Sequence, residues 1–537
     1  MSFEKKARGK YYTPLQLADA MVKFFVSDNT KKILEPSCGK GVFLDSMDKK
    51  GLLGNVEKFT AVEVNAKTIE KAKNKYKFVK NIEFINDDFF NFYNQNKENN
   101  KYDLIIGNPP YIKYQLLSSF QRQTLSSILV SHGMKANKLI NMWVGFLVAC
   151  THMLNSTGRI VFVIPAELLQ VNYAKDLRCF LLKQFKNITL ITFKKLVFPQ
   201  VSQEVMVFVG EKDGDKKGVK VIELGDLDDF SSLDLKSENY QPIQNAKEKW
   251  TRFFISSEEN RIINHIKNDA KFLPFSAFGT INVGVTTGND KYFSIDKEVC
   301  EKYKLKETTL PLVGKNSHIH GAYFTKSDWE KNVKRGERAK LITFPSKPLA
   351  KYPKEHQEYV ELGEKNKVHR GYKCFIREQW YVVPSVWIPD AFFPKFNYLY
   401  PKLAINKCEA ISISSVNRIK LNDDIDTDTL LLSYYNSISF VFTEICGRSY
   451  GKGVLSISPG EIRNIMLPVL KDFPKNKKRE LVQKIDIAIR ENKDIEIILD
   501  LIDREVLVKY LGLDIQLCIS CRTAWKKLQQ RRIGRRF

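Results

Sequence analysis

Short apolar runs alternate with segments of helical periodicity through the first 210 residues of the chain. The runs lie at residues 33–34, 59–64, 82–85, 104–106, 159–164, 190–193 and 205–209. Most of them are separated by stretches whose apolar residues fall on one helical face, such as residues 14–25 and 68–76. This alternation predicts an α/β domain with a mostly parallel, doubly wound sheet of seven strands. Ligands of such sheets bind at the carboxyl ends of the strands.

The pattern changes near the middle of the chain. Charged turns interrupt it between residues 210 and 248, which places the end of the first domain at residue 245. Short strands, aromatic residues and later helical periods predict a second, α+β domain over residues 246–515. Residues 516–537 form a basic C-terminal tail, and the last sixteen residues hold seven Lys or Arg and no acid. Such a tail is either a basic arm or a solvated chain end.

The composition indicates the kind of partner and the cellular compartment. The 537 residues include 86 Lys and Arg against 61 Asp and Glu, a net charge of +25. This excess indicates a polyanionic partner, with nucleic acid ahead of an anionic membrane surface. The nine cysteines are scattered, and the single C-x-x-C at Cys518 and Cys521 lacks a second pair, so we expect no metal site. Without a signal-like N-terminus or a spanning apolar segment, we expect a cytoplasmic protein that binds no membrane.

A glycine-containing turn follows the first predicted strand. The sequence Glu35-Pro36-Ser37-Cys38-Gly39-Lys40-Gly41 reads as strand end, turn and helix start, and its glycines allow close approach to a ligand. A dinucleotide fingerprint requires a third glycine where Leu44 stands, which argues against NAD or FAD.

Acidic residues follow the next two strands. Glu63 lies 22 residues beyond Gly41, a spacing that suits a carboxylate accepting hydrogen bonds from a ribose diol. Asp87, Asp88 and Phe89 follow the third strand, where a carboxylate and a ring suit an adenine. Because Lys40 is the only basic residue of the glycine turn, the pattern predicts an adenosine without phosphate. Each acid taken alone also fits a helix N-cap or a solvated turn.

The fourth strand runs into Asn108-Pro109-Pro110-Tyr111. The two prolines fix the backbone and remove two N–H donors, so the segment is rich in acceptors. The Asn108 side-chain oxygen and the Pro109 carbonyl suit an amino group on a ring, whose lone pair is otherwise delocalised. Tyr111 adds an aromatic face for a planar substrate. A rigid turn between strand and loop is the structural alternative.

With these motifs in this order, residues 1–210 resemble the catalytic domain of the gamma-class N6-adenine DNA methyltransferases of bacterial restriction–modification systems. The resemblance implies a Rossmann-like fold that binds S-adenosyl-L-methionine. It also implies cofactor-binding roles for the residues that match the family's motifs: Tyr12, Thr13, Glu35, Pro36, Ser37, Gly39, Gly41, Glu63, Asp88 and Phe89. Asp87, which precedes Asp88, fits the same role.

The resemblance also implies how an extruded adenine is held. Phe198, in a segment similar to a further family motif, would sandwich the base together with Tyr111, so the predicted catalytic residues are Asn108, Pro109, Pro110, Tyr111 and Phe198. The C-terminal half is only loosely similar to the family's target-recognition domains. Within it, residues 370–381 interleave basic and aromatic side chains, and we assign DNA contacts to Arg370, Lys373, Arg377 and Trp380. Strands with core aromatic residues and solvated charges are the structural alternative for each of them.

The sequence therefore predicts methylation of N6 of a flipped-out adenine in double-stranded DNA. We expect a monomer that works beside a separate cognate restriction endonuclease. Three other functions remain open: RNA methylation, methylation of a glutamine in release factors, and a catalytically idle DNA-binding subunit. A fused nuclease is a weaker fourth, because residues near Pro389-Asp390 lack the acid-x-Lys spacing of nuclease cores.

Overall fold

The computed structural model describes residues 12–136, 140–194, 204–214, 217–233, 240–241, 248–450 and 453–534. The chain divides into two compact units at Phe254 and Ile255. The expected boundary lay nine residues earlier. No helix among the described residues has both the length and the apolar character needed to cross a lipid bilayer.

Unit 1 is built on an eight-stranded sheet. Its strands are β1 Lys32–Glu35, β2 Lys58–Val62, β3 Ile82–Ile85, β4 Tyr102–Gly107, β5 Leu154–Pro165, β6 Asn187–Phe193, β7 Val205–Glu211 and β8 Gly218–Leu224. They lie in the order β3-β2-β1-β4-β5-β7-β6-β8. Strands β1 to β5 are parallel to one another, β7 runs antiparallel to β5 and β6, and β8 is parallel to β6.

The helices of unit 1 connect these strands. They are α1 Leu15–Phe25, α2 Val42–Lys49, α3 Ala66–Lys75, α4 Phe89–Asn96, α5 Ser119–Ser131, α6 Met142–His152, α7 Glu167–Gln170 and α8 Lys175–Gln184. Helix α1 buries Leu17, Met21 and Phe25, spaced for one face of a helix. The apolar side chains of the central strands β1 and β4 are fully buried, as expected for a parallel sheet covered on both faces.

The α/β class and the mostly parallel sheet are confirmed, and each of the seven predicted strands is present. The eighth strand, β8, corrects the prediction of seven. Residues 218–224 lie in the region that we interpreted as charged turns, because polar side chains alternate with apolar ones on this edge strand. Its full pairing with β6 supplies the hydrogen bonds that the local sequence does not reveal.

Unit 2 has an α+β composition with several small sheets. Its strands are β9 Phe272–Pro274, β10 Gly279–Asn282, β11 Ser294–Ile295, β12 Thr309–Val313, β13 Tyr323–Thr325, β14 Lys340–Ile342, β15 Ala391–Pro394, β16 Phe396–Asn397, β17 Ala404–Lys407, β18 Ile411–Ser412, β19 Val416–Leu421, β20 Arg448–Tyr450, β21 Val454–Ser456 and β22 Met466–Pro468. The largest sheet has the order β10-β19-β15-β17-β13, and a four-stranded sheet has the order β11-β14-β12-β18.

The helices of unit 2 are spread along its length. They are α9 Ser257–Asn268, α10 Asp290–Phe293, α11 Lys297–Lys302, α12 Lys326–Lys334, α13 Lys354–Lys365, α14 Tyr372–Phe375, α15 Thr427–Tyr434, α16 Ser437–Cys446, α17 Pro459–Ile462, α18 Lys475–Arg490, α19 Ile495–Ile502 and α20 Ile515–Ile533, with a π-helical segment at Asp503–Val508.

Helix α20 replaces the basic tail that we expected from residue 516 onward. Its side chain Trp525 is buried, and Arg532 is almost completely enclosed. The Arg532 guanidinium pairs with the carboxylate of Glu444 at 2.5 Å and donates to the carbonyls of Tyr398 and Gly453. Acids within unit 2 also pair with Arg522, Lys526 and Lys527, which the local charge count could not show.

Candidate active site

The glycine turn leads from β1 into α2 at the carboxyl edge of the sheet. Gly39 and Gly41 have φ angles of 54° and 82°, in the left-handed region that glycine adopts without strain. The backbone N–H of Cys38 donates to the carbonyl of Val62 at 2.9 Å, which ties the turn to the end of β2. The sequence thus folds here into the close turn that the two glycines predict.

Glu63 follows β2 and is held by backbone donors on both of its oxygens. Oε2 accepts from the N–H of Gly39 at 3.0 Å, and Oε1 accepts from the N–H of Asn65 at 2.9 Å. These two bonds fix the carboxylate beside the glycine turn, where we predicted the acid of a ribose site.

The acids that follow β3 are arranged around the start of α4. Asp88 caps this helix, with Oδ1 accepting from the N–H of Phe90 at 2.9 Å. Its Oδ2 accepts from the side-chain amide of Gln121 at 2.8 Å. Asp87 accepts from the N–H of Asp88 at 2.7 Å and from the amide of Asn91.

The tetrapeptide after β4 is hydrogen-bonded to Thr13, which precedes α1, and to the glycine turn. The side-chain Nδ2 of Asn108 donates to Oγ1 of Thr13 at 3.2 Å, and the Asn108 carbonyl accepts from the hydroxyl of Ser37 at 3.1 Å. The Tyr111 residue is only 7% exposed, and its hydroxyl donates to the carbonyl of Val163 on β5 at 2.9 Å. Four segments that are distant in sequence therefore meet at one place.

A cavity of about 740 Å³ lies where these segments meet. Most of the predicted site residues line it: Tyr12, Thr13, Glu35, Pro36, Ser37, Gly39, Glu63, Asp88, Phe89, Asn108 and Pro110. Gly41, Pro109 and Tyr111 belong to the same turns but are not among the lining residues. The volume is typical of a small-molecule site.

The charge of the lining is strongly one-sided. Five carboxylates line the cavity, those of Glu35, Asp45, Glu63, Asp87 and Asp88, while Lys40 is the single cation among its described lining residues. The ammonium of Lys40 lies 5.1 Å from the ring centre of Tyr12. Such a lining favours a cationic ligand over a phosphate.

Glu35 is the most perturbed acid of the cavity. Its carboxyl group is fully buried, and Oε2 has no hydrogen-bond partner within the described part of the chain. Burial raises the pKa of Glu35 well above its ordinary value, and the nearby carboxylates of Glu63 and Asp45 raise it further. A bound cation would relieve both effects.

Cys38 also lines the cavity, but its thiol is not activated. Burial raises the pKa of Cys38 far above its ordinary value, and the carboxylates of Glu35 and Glu63 raise it further. Since the thiolate is the nucleophilic form, this cysteine is unsuited to covalent catalysis.

Several lining residues were missed from the sequence. They are Val42, Phe43, Asp45, Val64, Asn65, Thr68, Ile112, Leu116, Gln121, Met142 and Phe146. Gln121 is the clearest case, because it holds Asp88 while also closing the capping box with Ser118. The Ser-x-x-Gln pattern predicts the start of α5, but only the tertiary fold brings that helix start against Asp88.

The remaining predicted residues fall into two groups. Phe198 lies outside the described residues. In unit 2, Arg370 and Lys373 are exposed, whereas Arg377 donates to the carbonyls of Thr286 and Thr287. The indole of Trp380 packs against Tyr292 and Phe293 and donates to Glu364. Arg377 and Trp380 thus support the fold of unit 2, and their contacts with DNA stay a prediction.

Two family models match the chain in consecutive segments. Residues 38–198 match the Eco57I restriction-modification methylase, and residues 247–507 match the C-terminal domain of the type II methyltransferase M.Eco57I. Together the matches cover most of the chain. The chain is a methyltransferase of the bacterial restriction–modification type, similar to the Eco57I methylase in both segments. In this methylase the first match holds residues 38–41 of the glycine turn, Glu63, Asp88 and the tetrapeptide, while the second lies almost wholly in unit 2.

Individual relatives agree with this assignment. The methylase is 24% identical to the type II methyltransferase M.AccI of Acinetobacter calcoaceticus over 521 residues, which cover 94% of each chain. It is 27% identical to M.HindII of Haemophilus influenzae over 311 residues, covering 55% of this chain and 56% of that protein.

A solved structure shares the fold of the methylase. The type IIL restriction-modification enzyme MmeI, determined in complex with DNA, aligns with a TM-score of 0.59 and 13% sequence identity. The alignment covers all of this chain and 78% of that enzyme. At this level of identity the likeness concerns the fold alone.

Proposed function

We propose that this methylase transfers a methyl group from S-adenosyl-L-methionine to N6 of an adenine extruded from double-stranded DNA. One observation carries the proposal: the cavity that holds Glu35, Glu63 and Asp88 has Asn108 in its wall. An acidic pocket for a cationic nucleoside and an acceptor-rich turn for an amine are therefore adjacent.

The residues present fit the cofactor. The sulfonium and ammonium groups of S-adenosyl-L-methionine suit a lining of five carboxylates, and the unpartnered buried oxygen of Glu35 favours a cation or donor beside it. Glu63 would hold the ribose hydroxyls, and Asp88 with Phe89 would contact the adenine. When bound, the cofactor supplies an electrophilic methyl group.

The tetrapeptide would activate the amine by accepting hydrogen bonds. The Asn108 side-chain oxygen and the Pro109 carbonyl would each accept from N6, which localises the lone pair of a poor nucleophile. The bond from Asn108 to Thr13 and that from Ser37 to the Asn108 carbonyl hold the turn in position. Pro110 lines the wall, and the rings of Tyr111 and Phe198 would cover the faces of the base.

Direct transfer, without a covalent enzyme intermediate, suits this cavity. Its lining cysteine, Cys38, is held in the unreactive thiol form. In the reaction a nitrogen–carbon bond forms as the carbon–sulfur bond breaks, and the amine then loses a proton. No cysteine attack on a base ring is required for this chemistry.

DNA as the substrate is supported by the net charge of +25 and by the family. Relatives such as M.AccI are named type II methyltransferases, and the fold neighbour MmeI was solved in complex with DNA.

We assign recognition of the target sequence to unit 2. We propose that the methylase protects DNA beside a separate restriction endonuclease. We further propose that it acts as a monomer.

The substrate class is tested by incubating the purified chain with labelled S-adenosyl-L-methionine and duplex DNA, RNA or release factor. We expect label in duplex DNA alone, and mass spectrometry of the digested DNA to identify N6-methyladenine. Labelling of RNA or protein without DNA would refute the proposal, and methylcytosine as the product would refute the adenine assignment.

The catalytic turn is tested with Asn108→Ala. Since Asn108 is proposed to act on the amine, calorimetric binding of S-adenosyl-L-methionine should stay within about threefold of the wild type, while the single-turnover rate falls by at least about 100-fold. Asn155→Ala is the matched control, because that amide binds Asp103 away from the cavity. Undiminished turnover by Asn108→Ala would exclude the assigned role.

A further inference from the structure

Three large apolar side chains project from a short loop of unit 2. In the loop formed by residues 370–377, hereafter the aromatic loop, Tyr372 is 73% exposed, Phe375 is 75% exposed and Ile376 is 58% exposed. Tyr372 and Phe375 lie three residues apart on the single turn of helix α14, so they share a side of it. Exposed apolar side chains grouped in this way mark a contact surface.

The loop is mounted firmly on the rest of unit 2. The side chain of Cys374 is fully buried, and its thiol donates to the carbonyl of Thr287 at 3.8 Å. The guanidinium of Arg377 donates to the carbonyl of Thr286 at 3.0 Å and to that of Thr287 at 2.8 Å. The rings are thus held outward by anchored neighbours.

The charge around the rings selects a polyanion. Residues 365–377 include five Lys or Arg and no Asp or Glu. Arg370 and Lys373 are exposed, and the ammonium of Lys373 lies 5.8 Å from the ring centre of Tyr372. Cations beside exposed rings suit phosphates beside stacked bases, whereas a purely apolar protein partner would leave these cations desolvated.

We propose that the aromatic loop is a wedge that inserts Phe375 and Tyr372 into the base stack of the DNA duplex. Arg370 and Lys373 would contact the flanking phosphates. Apolar side chains that enter a base step unstack it and distort the duplex, and their contact with the bases offsets the cost. The inference rests on the proposed function, since it assumes a duplex DNA substrate.

The wedge is tested with Phe375→Ala in the full-length chain. The duplex carries the recognition motif, which is first identified by sequencing modified bases in DNA from a host that expresses the chain. Loss of stacking predicts a Kd for the duplex raised by about 5- to 150-fold, corresponding to about 1–3 kcal/mol. The change at so exposed a position should leave thermal stability unaltered. S-adenosyl-L-methionine affinity should also be unchanged.

Phe78→Ala is the matched control. Phe78 is 84% exposed, and the ammonium of Lys77 lies 4.8 Å from its ring centre, so it resembles the loop rings in exposure and in charge. It lies between α3 and β3, at the amino edge of the sheet and opposite the cavity edge. Its Kd for the duplex should match the wild type.

Lys373→Ala separates phosphate contact from stacking. Loss of one phosphate contact should lower the slope of log Kd against log salt by about one, whereas Phe375→Ala should leave that slope unchanged. An equal loss of slope in both variants would overturn the wedge, because it would show that the ring acts only by positioning the lysine.

A duplex that is already distorted gives the decisive comparison. When an abasic site is placed in turn at each position of the motif, it removes most of the unstacking cost at the step that the rings enter, so Phe375→Ala should regain near-wild-type affinity at one position. Equal defects on the intact duplex and on every abasic duplex would overturn the proposal, as would wild-type affinity of the variant for all of them. If the wild type itself methylates no DNA, the proposed function has failed instead.

Discussion

At the residue scale, Tyr111 links the fold to the proposed chemistry through two different parts of its side chain. Its hydroxyl is bonded to the carbonyl of Val163, while its ring is assigned to the base. Tyr111→Phe should cost about 1 kcal/mol of stability and retain the turnover rate. Tyr111→Ala should raise the KM for DNA at least about fivefold in the folded fraction. Single-turnover kinetics measure the rate of both variants. An equal loss of turnover in the two would assign the catalytic contribution of Tyr111 to its hydroxyl and not to its ring.

Glu35 predicts a pH dependence at the same scale. Because burial and nearby acids raise the pKa of Glu35 above its ordinary value of 4.5, the folded cofactor-free protein binds this proton more tightly than the unfolded chain. The stability that it contributes is complete below pH 4.5 and is lost as pH rises towards the folded-state pKa.

Glu35→Gln should remove this loss of folding stability at higher pH. In thermal melts without cofactor, the variant should lose less stability than the wild type between pH 5 and pH 8, because Gln carries no charge. Its affinity for S-adenosyl-L-methionine should fall, since the cation loses a carboxylate. Melting curves that depend on pH identically in the two proteins would contradict the assigned burial cost.

At the element scale, the glycine turn between β1 and α2 depends on its left-handed residues. Gly41 has a φ of 82°, and an added Cβ would lie 3.5 Å from the side chain of Ala72. Gly41→Ala should therefore destabilise unit 1 by about 1–2 kcal/mol, chiefly through backbone strain, and weaken cofactor binding. Urea denaturation measures the first effect and calorimetry the second.

Gly54→Ala provides the comparison for that substitution. Gly54 lies in a short helical turn of the same unit without a positive φ, and an added Cβ would have no atom within 4 Å. It should leave the midpoint of denaturation unchanged or slightly raised. Similar losses of stability in the two variants would show that the left-handed backbone at Gly41 imposes no special constraint.

The elements also show what the sequence can reveal. The seven strands and the turns that follow them were predictable because apolar runs and glycine spacing are local signals. Strand β8 was not, because an edge strand with alternating polar residues looks like a loop until its partner β6 is known. The contact of Gln121 with Asp88 joins two helix starts 33 residues apart, and no local pattern encodes that distance.

At the scale of the whole molecule, ion pairs within unit 2 define its C-terminal helix. Arg532→Ala should destabilise the protein by about 3–5 kcal/mol, because it leaves the carboxylate of Glu444 buried without its cation. The double variant Arg532→Met with Glu444→Leu should regain most of this loss. Chemical denaturation measures both.

An exposed ion pair is the control for that experiment. Lys484 pairs with Glu480 on the surface of α18, with both side chains about half exposed. Lys484→Ala should change stability by less than about 0.5 kcal/mol. If Arg532→Ala lost as little stability as this, water would reach the carboxylate of Glu444. The pair of Arg532 and Glu444 would then not be needed to hold helix α20 in place.

The buried pair of Glu444 and Arg532 has a consequence for synthesis of the chain. Glu444 is translated 88 residues before Arg532. At about 5–20 residues per second, roughly 4–18 seconds pass before the ribosome has made the matching cation. During that interval the nascent second unit holds an acid that it cannot yet enclose, so its folding is completed late, after the first unit has left the ribosome.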